Sequence, residues 1–596
     1  MLQQLKMLGD YMEERGEGGL RTYLDMEKLS SYDHVISVDF SESGSEFEFD
    51  KVSAHDLEGN EEDVLYKFGS SRGGDQTPTS RVTDIEKTIP RVFDDWFSKQ
   101  DSENSLISSP KEEWNERQKE ITKEIKETFE QLDGDTVLTV RFEDEGEFKF
   151  IKEFDIFKKV LKEKVAKRWY DQSSKGKSLA EDERCSVCNE EKTVYGYAFP
   201  YKFYTVDNKR YAPDFDRGDS WKNIPMCEDC AFRIRIGKKF IDRQNFGYYV
   251  GEGLNYYVIP EFLGEPDYDF LDAVMDYEDT EEGLLEAEEF YKKPDDTVNL
   301  NFIFYKVENQ SETIQKQIED VAPSYLNRLD KSFEEVFSKF YGIDGYSDNA
   351  SDEIRQLDTL IYRVLPKPNR DGAGNTAFFN KAMDLTAKVF KGKEVNEEGL
   401  IKSFSEEELS RFRNNDFYGQ YAVRTFFFLE FLRENNLLDS EVKDTMKSYE
   451  QIVEDLDTEE NQNLKEFFSD HSEAFDAPEK KAVFLEGVLA QNLMDKQRMM
   501  RDTDEPPFRK KLANLRLDSA KVKQLFPEIS QTLDIYNSKA EPQYRNSYSD
   551  LRETIGHYLL LSDQNDWSIS GDEISYFFTL GMSLNQIFKN NNNGEQ

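Results

Sequence analysis

Cys185-Ser-Val-Cys188 and Cys227-Glu-Asp-Cys230, the second beginning thirty-nine positions after Cys188, hold all four cysteines of a 596-residue chain. Each CxxC sets two thiolates at the tip of a tight knuckle, and two knuckles supply the four soft tetrahedral ligands that Zn²⁺ takes in a closed structural site. Two disulfides are the competing reading. They need an oxidising compartment, and the opening Met1-Leu-Gln-Gln-Leu-Lys6 lacks the apolar core of a signal peptide. A thioredoxin-like redox pair accounts for one CxxC but not for two. Structural zinc uses all four ligands, keeps no open position for water, and ties two distant segments together for on the order of 10 kcal/mol. The gap between the knuckles exceeds the usual spacing of about fifteen to twenty residues, so the intervening chain forms an excursion of its own.

Around that clamp the pattern predicts an α+β protein: an N-terminal mixed α/β region with a four-cysteine zinc-finger insertion, followed by an all-α C-terminal helical bundle. At 69.8 kDa the chain is too long for one core. Residues 1–16 carry Leu2, Leu5, Leu8, Tyr11 and Met12 at helical spacing and stop at Gly16 to Gly19. Strands alternate at His34 to Phe40 and Glu46 to Val52 around Gly44, Val64 to Phe68 reads as a continuation of that sheet, and 99–117 reads as a polar loop into a helix. Thr136 to Phe142 and Glu147 to Ile151 form a second β segment, backed by a helix from about Phe154 to Tyr170. Further strands fall at Gly247 to Pro260 and Asn299 to Val307, after which β signals fade. Pro366 to Asn375 reads as a hinge, and helical periods then dominate at Tyr421 to Arg433, Lys481 to Met500 and Ile574 to Phe588. The expected domains are an N-terminal α+β domain at 1–180, a zinc-binding insertion at 181–245, the remaining α+β part with connecting helices at 246–365, a helical bundle at 376–589 and a disordered tail at 590–596.

The formal charge of −45 argues at first sight against a nucleic-acid partner. The acids are spread along the whole chain, however, which suits a cytoplasm with molar salt. There the Debye length is about 3 Å and counterion release contributes little, so a nucleic-acid binder relies on hydrogen bonds, stacking and shape. Phe 45 and Tyr 30 supply a core despite a mean hydropathy of −0.78. The longest apolar run, Phe426 to Phe431, contains Glu430 and follows Arg424, so a soluble, cytoplasmic chain without a membrane partner is expected.

Three stretches carry candidate nucleic-acid contacts. The loop Gly69 to Arg81 combines glycines that allow close backbone approach, the hydroxyls of Ser70, Ser71, Thr77 and Thr79, and two guanidinium groups, Arg72 and Arg81. From Leu65 to Lys99 six basic residues meet five acidic ones, a nearly neutral island in an acidic chain. The competing reading is an ordinary polar loop ahead of a helix. After the second knuckle Arg233, Arg235, Lys238, Lys239 and Arg243 face a single acid, Asp242, and between Lys496 and Lys523 nine basic residues, among them Arg498, Arg501, Arg509, Lys510 and Lys511, meet four acidic ones. A catalytic motif is absent: the histidines His34, His55, His471 and His557 do not pair at metal-ligand spacing, and no HExxH, GxSxG or Walker pattern occurs. The reading is of a non-enzymatic component. Two others stay open, a zinc-stabilised metal-dependent nuclease acting alone and a scaffold that binds only protein.

The order of features resembles the large subunit of type I-B CRISPR interference (Cascade) complexes in its haloarchaeal form. The resemblance rests on Tyr66-Lys-Phe-Gly-Ser-Ser-Arg-Gly-Gly-Asp-Gln-Thr-Pro-Thr-Ser80, the two CxxC knuckles, Tyr256-Tyr-Val-Ile-Pro260, Glu319-Asp-Val-Ala-Pro-Ser324 and Phe577-Phe-Thr-Leu-Gly581. It implies a non-catalytic subunit of a crRNA-guided surveillance complex that recognises the protospacer-adjacent motif in duplex target DNA and helps open it. It further implies a C-terminal bundle that lines the displaced strand, assembly with backbone and guide 5′-end subunits, and recruitment of a helicase-nuclease that cleaves. On that reading the Gly69 to Arg81 loop contacts duplex or guide, the Arg233 to Arg243 cluster contacts backbone near the zinc, and the Lys496 to Lys523 island tracks the displaced strand.

Overall fold

The structure, a computed structural model, describes residues 1–16, 19–69, 75–100, 102–243, 246–247, 254–264, 271, 298–308, 311–341, 357–366, 372–414, 418–439, 462–512, 515–542, 545, 548–562 and 567–585. The hinge expected at 366–375 falls partly outside them, at 367–371, and the tail expected at 590–596 lies wholly outside. The chain divides into two compact units, residues 1–244 with 308–313, and residues 245–307 with 314–596. Strands occupy the N-terminal part and helices the C-terminal part, as the α+β reading expects.

The first unit begins with α1 (Leu2–Glu14), whose buried face is Leu5, Leu8, Tyr11 and Met12. The hairpin β1 (His34–Ser43) and β2 (Glu46–Asp56) turns at Gly44, which adopts the left-handed φ of 69° that such a turn requires. Next come β3 (Ser80–Arg81), α2 (Ile85–Pro90), α3 (Ser105–Phe129), β4 (Thr136–Asp144), β5 (Glu147–Phe150) and α4 (Asp155–Lys167). β4 returns parallel to β1, with Ser37 opposite Thr139 and Asp39 opposite Arg141. The sheet runs β2-β1-β4-β3, with β5 also on β4. One face packs Ile36, Val38, Phe40, Leu138, Val140 and Phe142 against Trp96, Trp114, Ile121 and Phe157. On the other face Asp39, fully buried, is held by Arg141 through Nε at 2.9 Å and Nη2 at 2.6 Å, and accepts from Ser37 Oγ at 2.7 Å and Ser53 Oγ at 2.6 Å. A carboxylate so fully paired escapes most of the penalty of burial.

Two sequence expectations fail in this unit. Val64 to Phe68 is not a strand: Leu65 adopts φ 48°, and Asp25 takes the backbone instead, donating its N–H to the Tyr66 carbonyl at 3.0 Å and accepting the Phe68 N–H at 2.9 Å. Residues 99–117 are mostly helix, because Asn104 caps α3 by accepting from the Leu106 N–H at 3.0 Å. Beyond α4 lie the short pair β6 (Asp171–Gln172) and β7 (Gly176–Lys177), the strands β8 (Leu179–Arg184), β9 (Glu191–Tyr195) and β10 (Met226–Cys227), and α5 (Glu228–Arg243).

In the second unit β11 (Phe246–Gly247), β12 (Leu254–Phe262), β13 (Val298–Glu308) and β14 (Ser311–Val321) lie in that order. The last corrects the expectation that β structure ends near Val307. Ten helices follow among the described residues: α6 (Pro323–Tyr341), α7 (Leu357–Val364), α8 (Gly372–Phe390), α9 (Glu397–Asn414), α10 (Tyr418–Glu434), α11 (Gln462–Asp470), α12 (Pro478–Arg501), α13 (Ser519–Lys539), α14 (Ser549–Ser562) and α15 (Gly571–Ser583). None of the described helices is long and apolar enough to cross a membrane. α12 is buried almost all round and crosses α15 at two glycines, where a Cβ on Gly487 would enter the Phe578 carbonyl and one on Gly581 the Phe484 carbonyl.

Gly581→Ala should therefore cost the helical unit about 1–3 kcal/mol or more through overpacking against backbone. Gly556→Ala, whose Cβ enters open space on α14, should instead gain about 0.5–1 kcal/mol, and denaturant midpoints of the two variants check the contrast. α12 also buries Glu486 completely, with no hydrogen-bond partner on either oxygen among the described residues, and that burial pushes its carboxyl well above the usual range. Below the unfolded-state value the acid is neutral in both states and pH-independent. As pH rises from there toward the folded-state value, unfolding releases a proton and stability falls. Glu486→Gln should thus raise the unfolding midpoint relative to the natural chain at pH 8, with the difference shrinking as the pH is lowered toward about 4.

Candidate metal centre and nucleic-acid surface

The first knuckle sits at the turn between β8 and β9. Asn189 closes it in the left-handed region at φ 62°, donating its N–H to the Cys185 carbonyl at 2.9 Å. The second spans the end of β10 and the first turn of α5, so Cys230 lies at the positive end of a helix dipole. β10 pairs with β9, Cys227 opposite Val194, which brings the knuckles together. Ser186 ties them further, donating both its N–H and its hydroxyl to the Pro225 carbonyl at 2.8 Å.

The four Sγ atoms lie within 4.8 Å of one another, with Cys188 and Cys227 at 3.9 Å. Sulfurs about 2.3 Å from one tetrahedral ion stand about 3.8 Å apart, so the set fits a single four-coordinate metal such as zinc. All four cysteines are free, and disulfides are not formed. The Cys185 sulfur also accepts the Cys227 N–H at 3.4 Å and the Val187 N–H at 3.5 Å, backbone donors that favour a thiolate. Without a cation the thiols oppose one another. Hydrogen bonds from Cys227 and Cys230 hold the Cys185 thiol far below its usual range, while Cys185 in turn pushes Cys227 up to about 11 and Cys230 higher still. A divalent ion removes that conflict.

The glycine loop is stapled at its base by Asp75. Its carboxylate accepts the Gly69 N–H at 3.3 Å and the Ser80 hydroxyl at 2.6 Å, while Arg168 donates to the Gly69 carbonyl at 2.9 Å. Burial pushes the Asp75 carboxyl up, against those hydrogen bonds and nearby Arg91. Ser70, Ser71 and Arg72 lie outside the described residues. Thr77 and Thr79 are buried, the latter between the Val64 carbonyl at 2.5 Å and Thr139 Oγ1 at 2.7 Å. Arg81 donates to the Tyr66 hydroxyl at 2.9 Å and lies over the Tyr32 and Tyr66 rings. Asp75 and Arg168 went unnoticed in the sequence, where only the Gly-Gly-Asp turn pattern marks the first.

The cations of α5 do not form one patch, because helical spacing turns them to different neighbours. Arg233 pairs with Asp10 at 3.1 Å and Glu13 at 3.5 Å on α1. Arg235 lies over Trp169 and donates to the Ala198 carbonyl at 3.3 Å, and burial draws its pKa down. Lys238 bonds Asp242 at 2.7 Å, Lys239 donates to the Thr22 carbonyl, and the Arg243 side chain lies outside what is described. In the second unit Arg498 pairs with Asp495 at 2.9 Å, Arg501 donates to the Tyr536 hydroxyl at 2.5 Å, Arg509 stacks over Phe412 and donates to its carbonyl, Lys511 pairs with Glu528, and Lys510 is exposed.

Three family models match in chain order: the N-terminal domain of CRISPR-associated protein TM1802 at residues 1–163, its central domain at 182–321 and its C-terminal domain at 356–596. The chain belongs to the TM1802 family of CRISPR-associated proteins. The resemblance carried by the glycine loop and the knuckles therefore holds at the level of a CRISPR-associated family. No curated protein matches the chain. The central-domain match takes in the whole four-cysteine site together with the strands β12, β13 and β14.

Elemental analysis of the purified protein should return one divalent metal per chain. Cys230→Ser should lose it and expose α5 and the β8–β9 hairpin to hydrogen exchange, whereas full metal retention would remove the four-thiolate assignment.

Proposed function

We propose that this chain is the non-catalytic large subunit of a type I-B, crRNA-guided surveillance complex, with zinc in its four-thiolate site. The observation that carries the reading is the ordered match of all three TM1802 domains along the chain. In such a machine base pairing reads the target, and the protein needs only to recognise a short adjacent motif, hold the opened duplex and recruit the helicase-nuclease. No group of this chain is assigned a bond-breaking role.

The base of the glycine loop supports a role in duplex or guide contact. Asp75 and Arg168 fix the two ends of the stretch to which Ser70, Ser71 and Arg72 belong, while the buried Thr77 and Thr79 anchor its C-terminal side. Arg81, stacked between tyrosines, orients that base. In the helical unit the exposed Arg501, Lys510 and Lys511 are the side chains offered to a displaced strand, with Arg498 and Arg509 bracing them from their internal contacts. Backbone contacts near the zinc fall to Arg233, Lys238, Lys239 and Arg243, with Arg235 packed beneath.

A tagged chain purified from its own cells in molar KCl should carry small RNAs of uniform length with repeat-derived ends, together with a repeating backbone subunit. Arg72→Ala should leave that RNA in place and weaken target-duplex binding about tenfold or more. Recovery of the chain alone, free of RNA, would remove the proposal and bring forward a metal-dependent nuclease acting by itself.

A further inference from the structure

The first unit contains a cleft of about 460 Å³, lined by Met12, Arg21, Leu24, Met26, Lys28 and Lys239 among others. It adjoins the base of the glycine loop: Asp25, on its wall, binds the Phe68 N–H, and the Lys28 ammonium lies 4.6 Å from the centre of the Phe68 ring. Phe68 leads directly into Gly69.

The cleft has two chemically distinct parts. Its floor is apolar, built from the buried Met12, Leu24 and Ile236 with the half-buried Met26. Two thioethers make that floor polarisable and adaptable, which suits a flat heteroaromatic ring. Its rim is cationic. Arg21, Lys28 and Lys239 are exposed and come from three separate segments, the turn at 19–23, the turn at 26–29 and α5. Lys239 is held over the cleft by its bond to the Thr22 carbonyl.

Two acids share the lining, Asp25 and Glu27, but their charges do not count equally. Asp25 is shared between Lys67, whose Nζ bonds it at 3.0 Å, and Lys28, whose Nζ lies 3.6 Å from its other oxygen. Burial works against its ionisation, yet that bond and the Phe68 N–H hold its carboxyl below the usual range. Glu62, outside the lining, reaches Arg21 only at 3.8 Å and shares its charge with Lys152 at 3.3 Å. Three exposed cations of the lining, Arg21, Lys28 and Lys239, thus stand against one exposed carboxylate, Glu27, and a half-buried one, Asp25, whose charge Lys28 shares with Lys67, in a chain of net charge −45. A local excess of positive charge above an apolar floor matches a ligand with a ring at one end and an anion at the other. The volume lies in the range of small-molecule sites, enough for one nucleotide and too small for a duplex.

The geometry points to a binding site for a single nucleotide, its base against Met12, Leu24, Met26 and Ile236 and its phosphate on Arg21, Lys28 and Lys239. The site rests on the nucleic-acid role proposed above and deepens it, placing one nucleotide beside the loop that meets the guide or duplex. The same chemistry describes the 5′ end of a strand and a free mononucleotide.

The test uses the purified full-length chain and a 5′-phosphorylated RNA tetranucleotide with a 3′ fluorophore, read by anisotropy. The natural chain should bind it, and Arg21→Ala/Lys28→Ala should weaken binding about tenfold or more, since each charge-assisted contact to phosphate is worth that much. Met26→Trp, which fills the floor without altering charge, should weaken it as well. Displacement by AMP assigns the site to a mononucleotide, and displacement only by unlabelled 5′-phosphorylated tetranucleotide assigns it to a strand end. Failure of the natural chain to bind the probe, or equal affinity in the double variant, overturns the site. RNA recovered with the natural chain from cells reports separately on the surveillance role, so a failed cleft and a failed function give different results.

Discussion

Four cysteine sulfurs gathered within 4.8 Å of one another are the constraint on which the first unit turns. The set fits one divalent cation, and a cation bound there would make a hairpin turn and the first turn of a helix one rigid object. That object would fix where α5 begins. From there α5 runs against α1 so closely that a Cβ on Gly9 would enter the Arg233 carbonyl and one on Gly237 the Leu5 carbonyl. The helix that carries the second knuckle thus meets the N-terminal helix at reciprocal glycines, which bring Ile236 and Lys239 of α5 to the same cleft as Met12 of α1.

The second unit meets the same packing problem without a metal. α12 and α15 approach at Gly487 and Gly581, again reciprocally, each glycine lying under a carbonyl of its partner helix. Glu486 lies on the same helix, fully buried and without a hydrogen-bond partner among the described residues. Not every buried charge there is orphaned. Glu430 is bound to His471 Nδ1 at 2.5 Å and to Arg433, which also reaches Glu397, so that two helices and the turn after a third share a closed hydrogen-bonded network. Such satisfied networks fix which helices pair, while an unsatisfied acid only costs stability.

What the sequence made legible was local chemistry. The CxxC spacing located the four clustered cysteines because each knuckle is a four-residue event, and α1, α10 and α12 were readable because apolar residues recur at the period of one element. Contacts between distant positions were not readable. β1 pairs in parallel with β4 through residues about a hundred positions apart, as Asp39 and Arg141 show, and no hairpin signal announces that. Val64 to Phe68 has the composition of a strand, but the left-handed Leu65 and the pull of Asp25 divert it. β14 was missed for the opposite reason: an edge strand carrying Glu312, Lys316, Glu319 and Asp320 protects itself with charge and so loses the apolar alternation by which strands are recognised.

The same distinction governs the cations. Counting basic residues along the chain marked three islands, yet in the later two most of the described cations meet an acid, a ring or a carbonyl elsewhere in the chain, as Arg509 does at Phe412 and Lys239 at Thr22, and in the first Lys67 meets Asp25 and Lys87 and Lys99 pair with acids within one turn. In so acidic a chain a cation with an acidic neighbour is the ordinary outcome, so local sequence charge overstates what is offered to a phosphate. What matters is where the acids have been spent. Asp75 is consumed in closing the glycine loop and Asp25 in holding Lys67 and Phe68, and both lie in the stretch that joins the cleft to the loop. Withdrawing those two carboxylates from solvent lets a few cations dominate a surface whose overall charge is strongly negative. At high ionic strength only such short-range, hydrogen-bonded recognition retains its strength.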